Sequence, residues 1–444
     1  MKPVRRELKP IEVIVAEVLE EVERKRLSLR LTMERYFSDN PDLYPVKGVI
    51  RAFSLAVLRN FRLLDTIIKC VFDLQADRLS PFMRNLLRAV VYEIVFRDIK
   101  SNRIKALTKY FKGQLNITYK DFRILRGLEI REVLKGYGGL ERLAVRYSQP
   151  LWVVKYLVKI LGEDETIKLL KRFNEPATLW IRVNTLKIST EGLLKRLRGR
   201  GLSVVRDDVF FDTLKIEKVR SALSRLPEYK ERLFYIQDKA SILVGHIVSP
   251  EANQLILDAC AAPGSKTTHL AQLSALRARI IATDISLSRL LFLKKYSKEA
   301  GFDNIDIFVA DARAYRSPVK FDKILVDPDC SSLGILGHSP EVRLWIKESY
   351  IKTYADIQYS ILRNVLEMVK RNGLIVYSTC TFTVEENECN VKRLLEEFGN
   401  EVELVEHVPF IGRRGLLGFR QMQRLYPHVH DTIGFTISVL KKIK

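Results

Sequence analysis

The amino-acid sequence predicts a multidomain fold: an α-helical N-terminal bundle, a small α+β connecting domain and a C-terminal α/β domain. The chain has 444 residues, more than the roughly 100–200 of a single domain. Apolar residues recur at helical spacing over its first third, and strand and helix segments alternate strictly after residue 250. We therefore expect domains at residues 1–138, 139–250 and 251–444.

The N-terminal region has the apolar spacing of amphipathic helices and no alternating strand pattern. Helices are expected at Ile11–Arg26, Val46–Phe61, Leu63–Leu74 and Phe82–Phe96. Before the last of these, Ser80 and Pro81 are the residue types that favour a helix N-cap and a first helical turn. These segments predict a helical bundle.

The middle region mixes helices with strands. A strand at Thr178–Lys187 would bring Trp180 and Arg182 to one face, and a helix at Glu191–Gly199 and a strand at Leu202–Arg206 follow. If that face were exposed, together with Lys187, it could contact RNA. The tryptophan could equally belong to the core of a connecting subdomain, and the pattern favours neither interpretation.

The C-terminal region alternates strands with helices. Strands are expected at Gln254–Leu257, Arg279–Thr283, Ile305–Ala310, Phe321–Val326, Leu374–Tyr377 and Gly434–Leu440. Helices are expected at Ser265–Leu276, Leu287–Ala300, Tyr350–Lys370 and Val384–Phe398. The alternation predicts a parallel, doubly wound sheet that binds ligands at the carboxyl ends of its strands.

Positive charge is the strongest signal in the composition. The 75 Lys and Arg residues against 53 Asp and Glu give a net charge of +22. Residues 1–150 hold 30 basic and 18 acidic side chains, whereas residues 251–444 hold 26 and 23. This charge indicates a nucleic-acid partner, although a solvated basic surface would also explain it. We expect the front of the chain to hold RNA phosphates.

Several protein classes are disfavoured by the sequence. No apolar run reaches the ~18 residues of a membrane span, and the basic N-terminus lacks the apolar stretch of a secretory signal. Five widely spaced cysteines fit a reducing compartment better than a disulfide framework. Neither the cysteines nor the six histidines form a zinc pattern. We therefore expect a cytoplasmic protein that uses neither a membrane nor a metal.

Three acids, Asp258, Asp284 and Asp311, stand where three successive strands are expected to end. The loop after the first strand lacks the adjacent Gly-Lys pair of a phosphate-binding loop, because Ser265 separates the two, and it lacks the three glycines of a dinucleotide fingerprint. An acid after the second strand can accept ribose hydroxyls, and one after the third can accept an exocyclic amine. This series indicates an S-adenosylmethionine pocket, since that nucleoside carries no pyrophosphate.

Two cysteines follow the next two strands, Cys330 within Asp327–Ser332 and Cys380 within Tyr377–Thr381. Free cysteines are often inert core residues, but two thiols at the edge that holds the methyl donor suit a particular chemistry. Carbon C5 of cytosine is too weak a nucleophile to take a methyl group directly. A thiolate that adds to C6 turns C5 into an enamine-type carbon that can attack the sulfonium methyl. A second group must then help to remove the C5 proton.

These motifs resemble the RsmB/Nop/Sun family of RNA cytosine-C5 methyltransferases over about residues 140–444. The resemblance lies in the segments YIQDKAS, DACAAPGSKTTHLA, DPDCSS and YSTCT, and in the later ENE. The segments AVLRNFRLLD and LSPFMRNLLRAVVYEIVF resemble the NusB-like RNA-binding domain. The resemblance implies a Rossmann-like, S-adenosylmethionine-dependent methyltransferase domain that acts on rRNA or tRNA.

The resemblance also implies roles for individual residues. It makes Cys380 the nucleophile, makes Cys330 the residue that assists product release, and puts Asp327 beside the methyl donor and the target base. The implied donor-binding residues are Cys260, Ala261, Ala262, Pro263, Gly264, Ser265, Lys266, Asp284, Asp311 and Asp327. We expect a monomer, because a single chain carries the whole pocket.

The chain departs from the family pattern at Ser265, Asp329, Ser332 and Ile433. Asp329 replaces the proline that usually precedes the cysteine, and we expect its carboxylate to raise the pKa of Cys330 and to weaken the release step. One alternative is therefore a catalytically impaired RNA-binding or ribosome-assembly factor that retains the methyltransferase fold. Another is a methyltransferase for a different base or for protein, but the aromatic loop typical of amine methylation is missing after Asp327-Pro328.

Overall fold

The structure is a computed structural model that describes residues 9–115, 117–218 and 222–444. The basic segment 1–8, part of the N-terminus that was predicted not to be a secretory signal, lies outside the described residues. The chain forms two compact units, one of Met1–Glu175 and Leu336–Ile346 and the other of Pro176–Ile335 and Lys347–Lys444. The predicted boundaries at residues 138 and 250 remain a proposal.

The first unit is helical. Its helices are α1 (Ile11–Lys25), α2 (Leu29–Asp39), α3 (Lys47–Phe72), α4 (Pro81–Arg97), α5 (Ser101–Thr108), α6 (Tyr119–Ile124), α7 (Ile130–Val133), α8 (Gly139–Arg146), α9 (Leu151–Leu161) and α10 (Glu163–Asn174). Helix α4 begins as predicted, with Ser80 Oγ accepting the amide of Met83. The two helices predicted at Val46–Phe61 and Leu63–Leu74 are a single helix, because the backbone stays helical through Arg62 between them.

The core of this unit lies where α1, α3 and α4 pack their apolar faces together. A charged group is buried beside this core. The Arg88 guanidinium binds Asp65 through two hydrogen bonds of 2.7 Å and Glu23 through one of 2.8 Å. A buried guanidinium needs such partners, since its desolvation is costly. This network ties α1, α3 and α4 to one another.

The segment Leu336–Ile346 packs within the first unit, although the residues on either side belong to the second. Its buried Arg343 donates to the carbonyl oxygens of Phe173 and Leu336, both at 3.0 Å, and to Asn174 Oδ1 at 2.8 Å. Burial lowers the pKa of Arg343 to about 9. The Arg343 side chain therefore holds the segment in place by donating hydrogen bonds to several acceptors.

The second unit begins with a small antiparallel sheet. Its elements are β1 (Leu179–Val183), α11 (Thr190–Gly199), β2 (Ser203–Arg206), β3 (Thr213–Lys218), α12 (Pro227–Lys230) and β4 (Phe234–Ile236). The strand order β2-β3-β1-β4 with helices after β1 and β3 is ferredoxin-like. Strands β3 and β4 were not predicted, and β1 is shorter than the predicted strand.

The face of β1 that could have contacted RNA is instead buried. Trp180 is 6% exposed and Arg182 is fully buried, whereas Lys187 is exposed. Trp180 Nε1 donates to the carbonyl of Asp431 at 2.9 Å, and Arg182 donates to the carbonyl of Ser265 at 2.8 Å. The interpretation of Trp180 and Arg182 as an exposed RNA-contacting pair is therefore wrong, because their face packs against the rest of the second unit.

A larger mixed sheet completes this unit. Its strands are β5 (Leu255–Asp258), β6 (Arg279–Asp284), β7 (Ile305–Val309), β8 (Phe321–Val326), β9 (Val369–Thr379), β10 (Val402–Val405), β11 (Arg413–Arg414), β12 (Gln423–Leu425) and β13 (Phe435–Lys442). The helices are α13 (Lys239–Val248), α14 (Ser265–Leu273), α15 (Leu287–Ala300), α16 (Ser349–Leu366), α17 (Glu388–Phe398) and α18 (Pro427–His430). The strand order is β11-β12-β13-β9-β8-β5-β6-β7, and β10 pairs with β13.

The sheet is parallel from β9 to β7 and antiparallel beyond β9. The prediction of a parallel sheet is thus correct for its centre but wrong for β13, which runs antiparallel to β9. The chain order reverses at β5, and α/β sheets bind ligands at such a switch point. Two predicted helices are also corrected: α16 ends at Leu366 because β9 begins at Val369, and α17 begins at Glu388 after a turn.

Within the described residues, no helix has the length and apolar character that crossing a membrane requires.

Replacing Arg343 with alanine should lower the free energy of unfolding by about 2–4 kcal/mol, because several buried acceptors lose their donor. The exposed Arg131 of the same unit is the matched control, and Arg131→Ala should change stability by less than about 0.5 kcal/mol. Urea unfolding followed by circular dichroism measures both variants. Equal stability of the two variants would contradict this account of the segment.

Candidate active site

The candidate functional side chains gather at the carboxyl ends of β5, β6, β7, β8 and β9. The parallel register pairs Asp258 with Leu325 and Val326 with Tyr377, so the residues that follow these strands are neighbours. Two adjoining cavities open there, of about 670 and 200 Å³. The larger is lined by Asp258, Cys260, Ala261, Ala262, Pro263, Ser265, Lys266, Asp327, Cys330 and Cys380, among others. The smaller is lined by Cys260, Asp284, Asp311 and Asp327, among others.

Gly264 supports the loop between β5 and α14 without lining either cavity. Its φ is +106°, and a Cβ there would lie 2.1 Å from the Leu293 side chain. Only glycine meets both conditions, so this residue lets α14 begin close to α15. Arg289 on α15 donates to the carbonyl of Ala262 at 2.5 Å and holds the loop from outside.

The strand-end acids have different surroundings. Asp258 is buried and accepts the Thr267 hydroxyl at 2.7 Å, while its Oδ1 has no hydrogen-bond partner among the described residues. Burial raises the pKa of Asp258 to about 7. Asp284 accepts the amides of Ala262 at 3.1 Å and Ser286 at 2.9 Å. Each acid therefore also orders the loop around it.

Asp311, the third strand-end acid, lies at the mouth of the smaller cavity and forms an ion pair of 2.6 Å with Arg313. The hydrogen bond from Arg313 lowers the pKa of Asp311.

Asp327 is held from two sides. Lys266 Nζ lies 2.5 Å from Asp327 Oδ2, and the Ser378 hydroxyl donates to Oδ1 at 2.7 Å. The lysine also lies 5.3 Å above the Phe435 ring. Because Lys266 lies in the first turn of α14 and Ser378 near the end of β9, the carboxylate is fixed between the start of that helix and the strand that precedes Cys380.

The sulfur atoms of Cys330 and Cys380 lie 3.1 Å apart at the larger cavity. Cys330 is 7% exposed and Cys380 is partly exposed. Ser332 follows with φ of 61°, the left-handed conformation that favours glycine. Its hydroxyl donates to the carbonyl of Cys330 at 3.2 Å and lies 3.9 Å from the Cys380 sulfur. The two predicted cysteines thus face each other.

The hydrogen bond with Cys380, burial and the charges of Cys380 and Glu386 raise the pKa of Cys330. The direction agrees with the expectation from Asp329, but the cause differs. The Asp329 side chain is 75% exposed and lies 3.9 Å from Arg289. The carboxylate that acts on the thiol is buried Glu386.

The segment after Cys380 is a turn rather than the start of a helix. Glu386 is fully buried and accepts the amide of Ser331 at 3.0 Å, the Gln358 side-chain amide at 2.9 Å and the Thr383 hydroxyl at 2.7 Å. Two residues later, Glu388 forms a buried ion pair with Arg424. Side-chain hydrogen bonds to nearby groups compete with helix formation here, which explains why α17 begins late.

Sequence reasoning missed several residues at this edge. Ser378 lies inside the YSTCT motif, so its contact with Asp327 could have been expected from the parallel register. Tyr354, Gln358 and Arg289 lie on helices and carry no local signal of a site. Their functional positions follow from packing alone.

One further cluster has the residue types of a metal site. Asp212 accepts from His246 Nε2 at 3.0 Å and from His269 Nε2 at 2.9 Å. Nδ1 of His269 is buried and has no hydrogen-bond partner among the described residues. A metal on Nε2 would require a proton on Nδ1, and that proton would have no acceptor. The geometry therefore fits a hydrogen-bonded triad, in which burial lowers the pKa of His269 to about 4.

Folding stability should fall as the pH drops from 6.5 to 4, because the unfolded chain protonates His269 near its ordinary value of 6.5 while the folded protein resists protonation until about 4. The contribution is complete above pH 6.5 and decreases by about 1.4 kcal/mol per pH unit for one proton. His269→Gln should show a shallower dependence in urea unfolding. His407, whose pKa is also lowered to about 4, titrates in both the wild-type protein and the variant. Its effect therefore cancels in the difference between their unfolding free energies. Zinc-dependent stabilisation would contradict the triad.

Comparison with known proteins identifies the family of this chain. Residues 245–441 match the family described as 16S rRNA methyltransferase RsmB/F, residues 149–222 match its ferredoxin-like domain, and residues 10–104 match the NusB family. A probable ribosomal RNA small subunit methyltransferase B from Synechocystis is 27% identical over 96% of this chain and 98% of its own length. A tRNA (cytosine(72)-C(5))-methyltransferase from Pyrococcus horikoshii is 33% identical over 65% of this chain and 71% of its own.

A solved structure supports the fold. The crystal structure described as that of PH0851 matches with a TM-score of 0.81 and 28% identity, over 98% of this chain and 99% of that one.

The Rossmann-like sheet and its strand-end site define a methyltransferase, as predicted. The chain belongs to the RsmB/F family of RNA methyltransferases. The expected class of enzyme, an RNA (cytosine-C5-)methyltransferase, and the NusB-like N-terminal domain are thereby confirmed.

Proposed function

We propose that this enzyme methylates C5 of a cytosine in RNA with S-adenosylmethionine, through a covalent adduct between Cys380 and C6 of the base. The observation that carries the proposal is the pair of thiols, 3.1 Å apart at the larger cavity, next to the loop that begins α14. A reaction that first forms and then breaks a carbon–sulfur bond needs a nucleophilic thiol, and a second thiol beside it can assist the release.

The residues around the cavities fit S-adenosylmethionine. The unpaired Asp258 Oδ1 is a buried acceptor beside the loop between β5 and α14. Asp284 and Asp311 line the smaller cavity, where they could accept hydrogen bonds from the ribose and the base of a nucleoside. When bound, the cofactor supplies an electrophilic methyl group. Cys260 to Lys266 would bind it through the start of α14, and Gly264 supports this loop by letting α14 begin close to α15.

The environments of the two cysteines support different roles. Two thiols at 3.1 Å do not both ionise at neutral pH, because like charges at that distance repel. The pKa of Cys330 is raised by its hydrogen bond with Cys380 and by burial, so Cys330 keeps the proton. Cys380, which is partly exposed at the same cavity, is the thiol that attacks C6.

Product release follows methylation. The C5 proton passes to water, the electrons of its bond rebuild the double bond between C5 and C6, and the Cys380 thiolate departs from C6. Cys330 lies beside the departing sulfur and assists this step. Asp327, fixed by Lys266 and Ser378, is positioned to contact the amino group of the target base and the donor. Because Asp329 faces Arg289, it gives little support to an impaired, non-catalytic factor.

Small-subunit ribosomal RNA is the proposed substrate. The Synechocystis relative aligns over nearly the whole chain, including the helical NusB-like region, whereas the tRNA enzyme aligns over 65% of it. A tRNA substrate is the second candidate, since that relative has the higher identity. Five free cysteines fit a reducing cytoplasm, and a monomer suffices because one chain supplies every site residue.

Replacing Cys380 with alanine should abolish methyl transfer, because the variant lacks the sulfur that attacks C6 of the base. Replacing Cys330 with alanine should leave RNA joined to the protein through Cys380. Denaturing gels with labelled RNA and a tritiated methyl donor measure both results. Methylation by Cys380→Ala, or no adduct with Cys330→Ala, would refute the mechanism.

Bisulfite sequencing of total RNA from cells with and without this gene should reveal one lost 5-methylcytosine in small-subunit rRNA. Restoring the wild-type gene should return the mark, while restoring Cys380→Ala should not. A lost mark in tRNA alone would favour the second candidate. Unchanged marks in both RNA classes would contradict the proposed activity.

A further inference from the structure

We propose that Glu386 is a positioning residue for product release: from the turn after Cys380 it fixes the backbone on both sides of Cys330 and so sets the approach of the two sulfurs. The proposal deepens the function above and rests on the release role given there to Cys330.

The side chains of Glu386 and Gln358 together bind the loop that carries Cys330 through hydrogen bonds. Glu386 Oε2 accepts the backbone amide of Ser331 at 3.0 Å, directly after the cysteine. The side-chain amide of Gln358 donates to the same Oε2 at 2.9 Å and to the carbonyl of Asp329, directly before the cysteine, at 3.0 Å. The peptide groups on either side of Cys330 are therefore tied to one buried pair of side chains.

The same glutamate is tied to the strand and turn that carry Cys380. The Thr383 hydroxyl donates to Glu386 Oε1 at 2.7 Å, and the carbonyl of Glu386 lies 2.5 Å from the Tyr377 hydroxyl. The hydroxyls of Ser331 and Thr381 are 2.7 Å apart and join the two loops a second time. The spacing of the sulfurs thus depends on a cross-link whose centre is Glu386.

The burial of a carboxylate at position 386 is costly and needs a physical explanation. Glu386 is fully buried, and its hydrogen bonds come from an amide, a side-chain amide and a hydroxyl, which are all neutral donors. A group that only ended a turn would need no contact with Ser331, which is far away in sequence. The charge of Glu386 also helps to keep the proton on Cys330. Both effects act on the residue that assists release.

The test compares Glu386→Ala with Glu386→Gln. Alanine removes the acceptors, whereas the glutamine oxygen can still accept from Ser331 and Gln358 while its NH₂ group donates to the Thr383 hydroxyl. Glu388→Gln is the matched control, because Glu388 is an equally buried carboxylate two residues away that pairs with Arg424 instead of the Cys330 loop. The full-length proteins are assayed for single-turnover methylation and for the rate at which the RNA adduct is released.

Glu386→Ala should slow release by about tenfold or more, since small misplacements of reacting groups have effects of that order, and the adduct should accumulate after methylation. Glu386→Gln should release RNA at nearly the wild-type rate, with the pH profile of release shifted to lower pH because the charge near Cys330 is gone. Glu388→Gln should lower thermal stability without trapping RNA.

Several outcomes would overturn the proposal. Wild-type release by Glu386→Ala would do so, as would equal trapping by Glu386→Gln or by Glu388→Gln. If Glu386→Ala does not fold, Gln358→Met removes the donor to Asp329 and must trap the adduct in its place. Cys330→Ala is run in parallel: if it traps RNA and the Glu386 variants do not, the positioning role fails alone. If Cys330→Ala itself traps none, the proposed function fails.

Discussion

The parallel register of β5, β8 and β9 is the constraint on which the site depends. Because Val326 pairs with Tyr377, the next residues along each strand, Asp327 and Ser378, meet through a hydrogen bond of 2.7 Å. Successive side chains on a strand point to opposite faces, so a slip of one residue would turn Asp327 away from Ser378. Cys330 follows β8 and Cys380 follows β9, so the contact between their sulfur atoms depends on the same register.

Buried polar side chains then fix the parts around this register. Arg182 links β1 to the start of α14 through the carbonyl of Ser265, and Asp212 reaches from the small sheet to His246 on α13 and His269 on α14. Such groups are costly to bury unless every partner is in place. The small sheet therefore helps to hold the start of α14 in position, which is a structural task.

The sequence was sufficient for the parallel centre of the sheet and for the strand-end acids, because alternation and strand polarity are local properties. It was insufficient for β13, whose direction depends on which strand it joins, and for Trp180 and Arg182, since period-two patterning shows that residues share a face and not what covers it. The cysteines were found through their loops. Glu386 was visible as part of a motif, but its contact with Ser331 depends on tertiary packing.

The net charge of the chain and the charge balance at the cavities differ. At the cavities Lys266 pairs with Asp327, Arg313 with Asp311 and Arg289 with Asp329, so each cation is matched by an acid. A site neutralised in this way adds little to the attraction of a polyanion. The excess of 30 basic over 18 acidic residues lies in residues 1–150, where no pairing with site acids reduces it. Residues 1–150 and the cavities therefore differ in charge balance, and the surroundings of the two thiols are set by burial and hydrogen bonds rather than by excess charge.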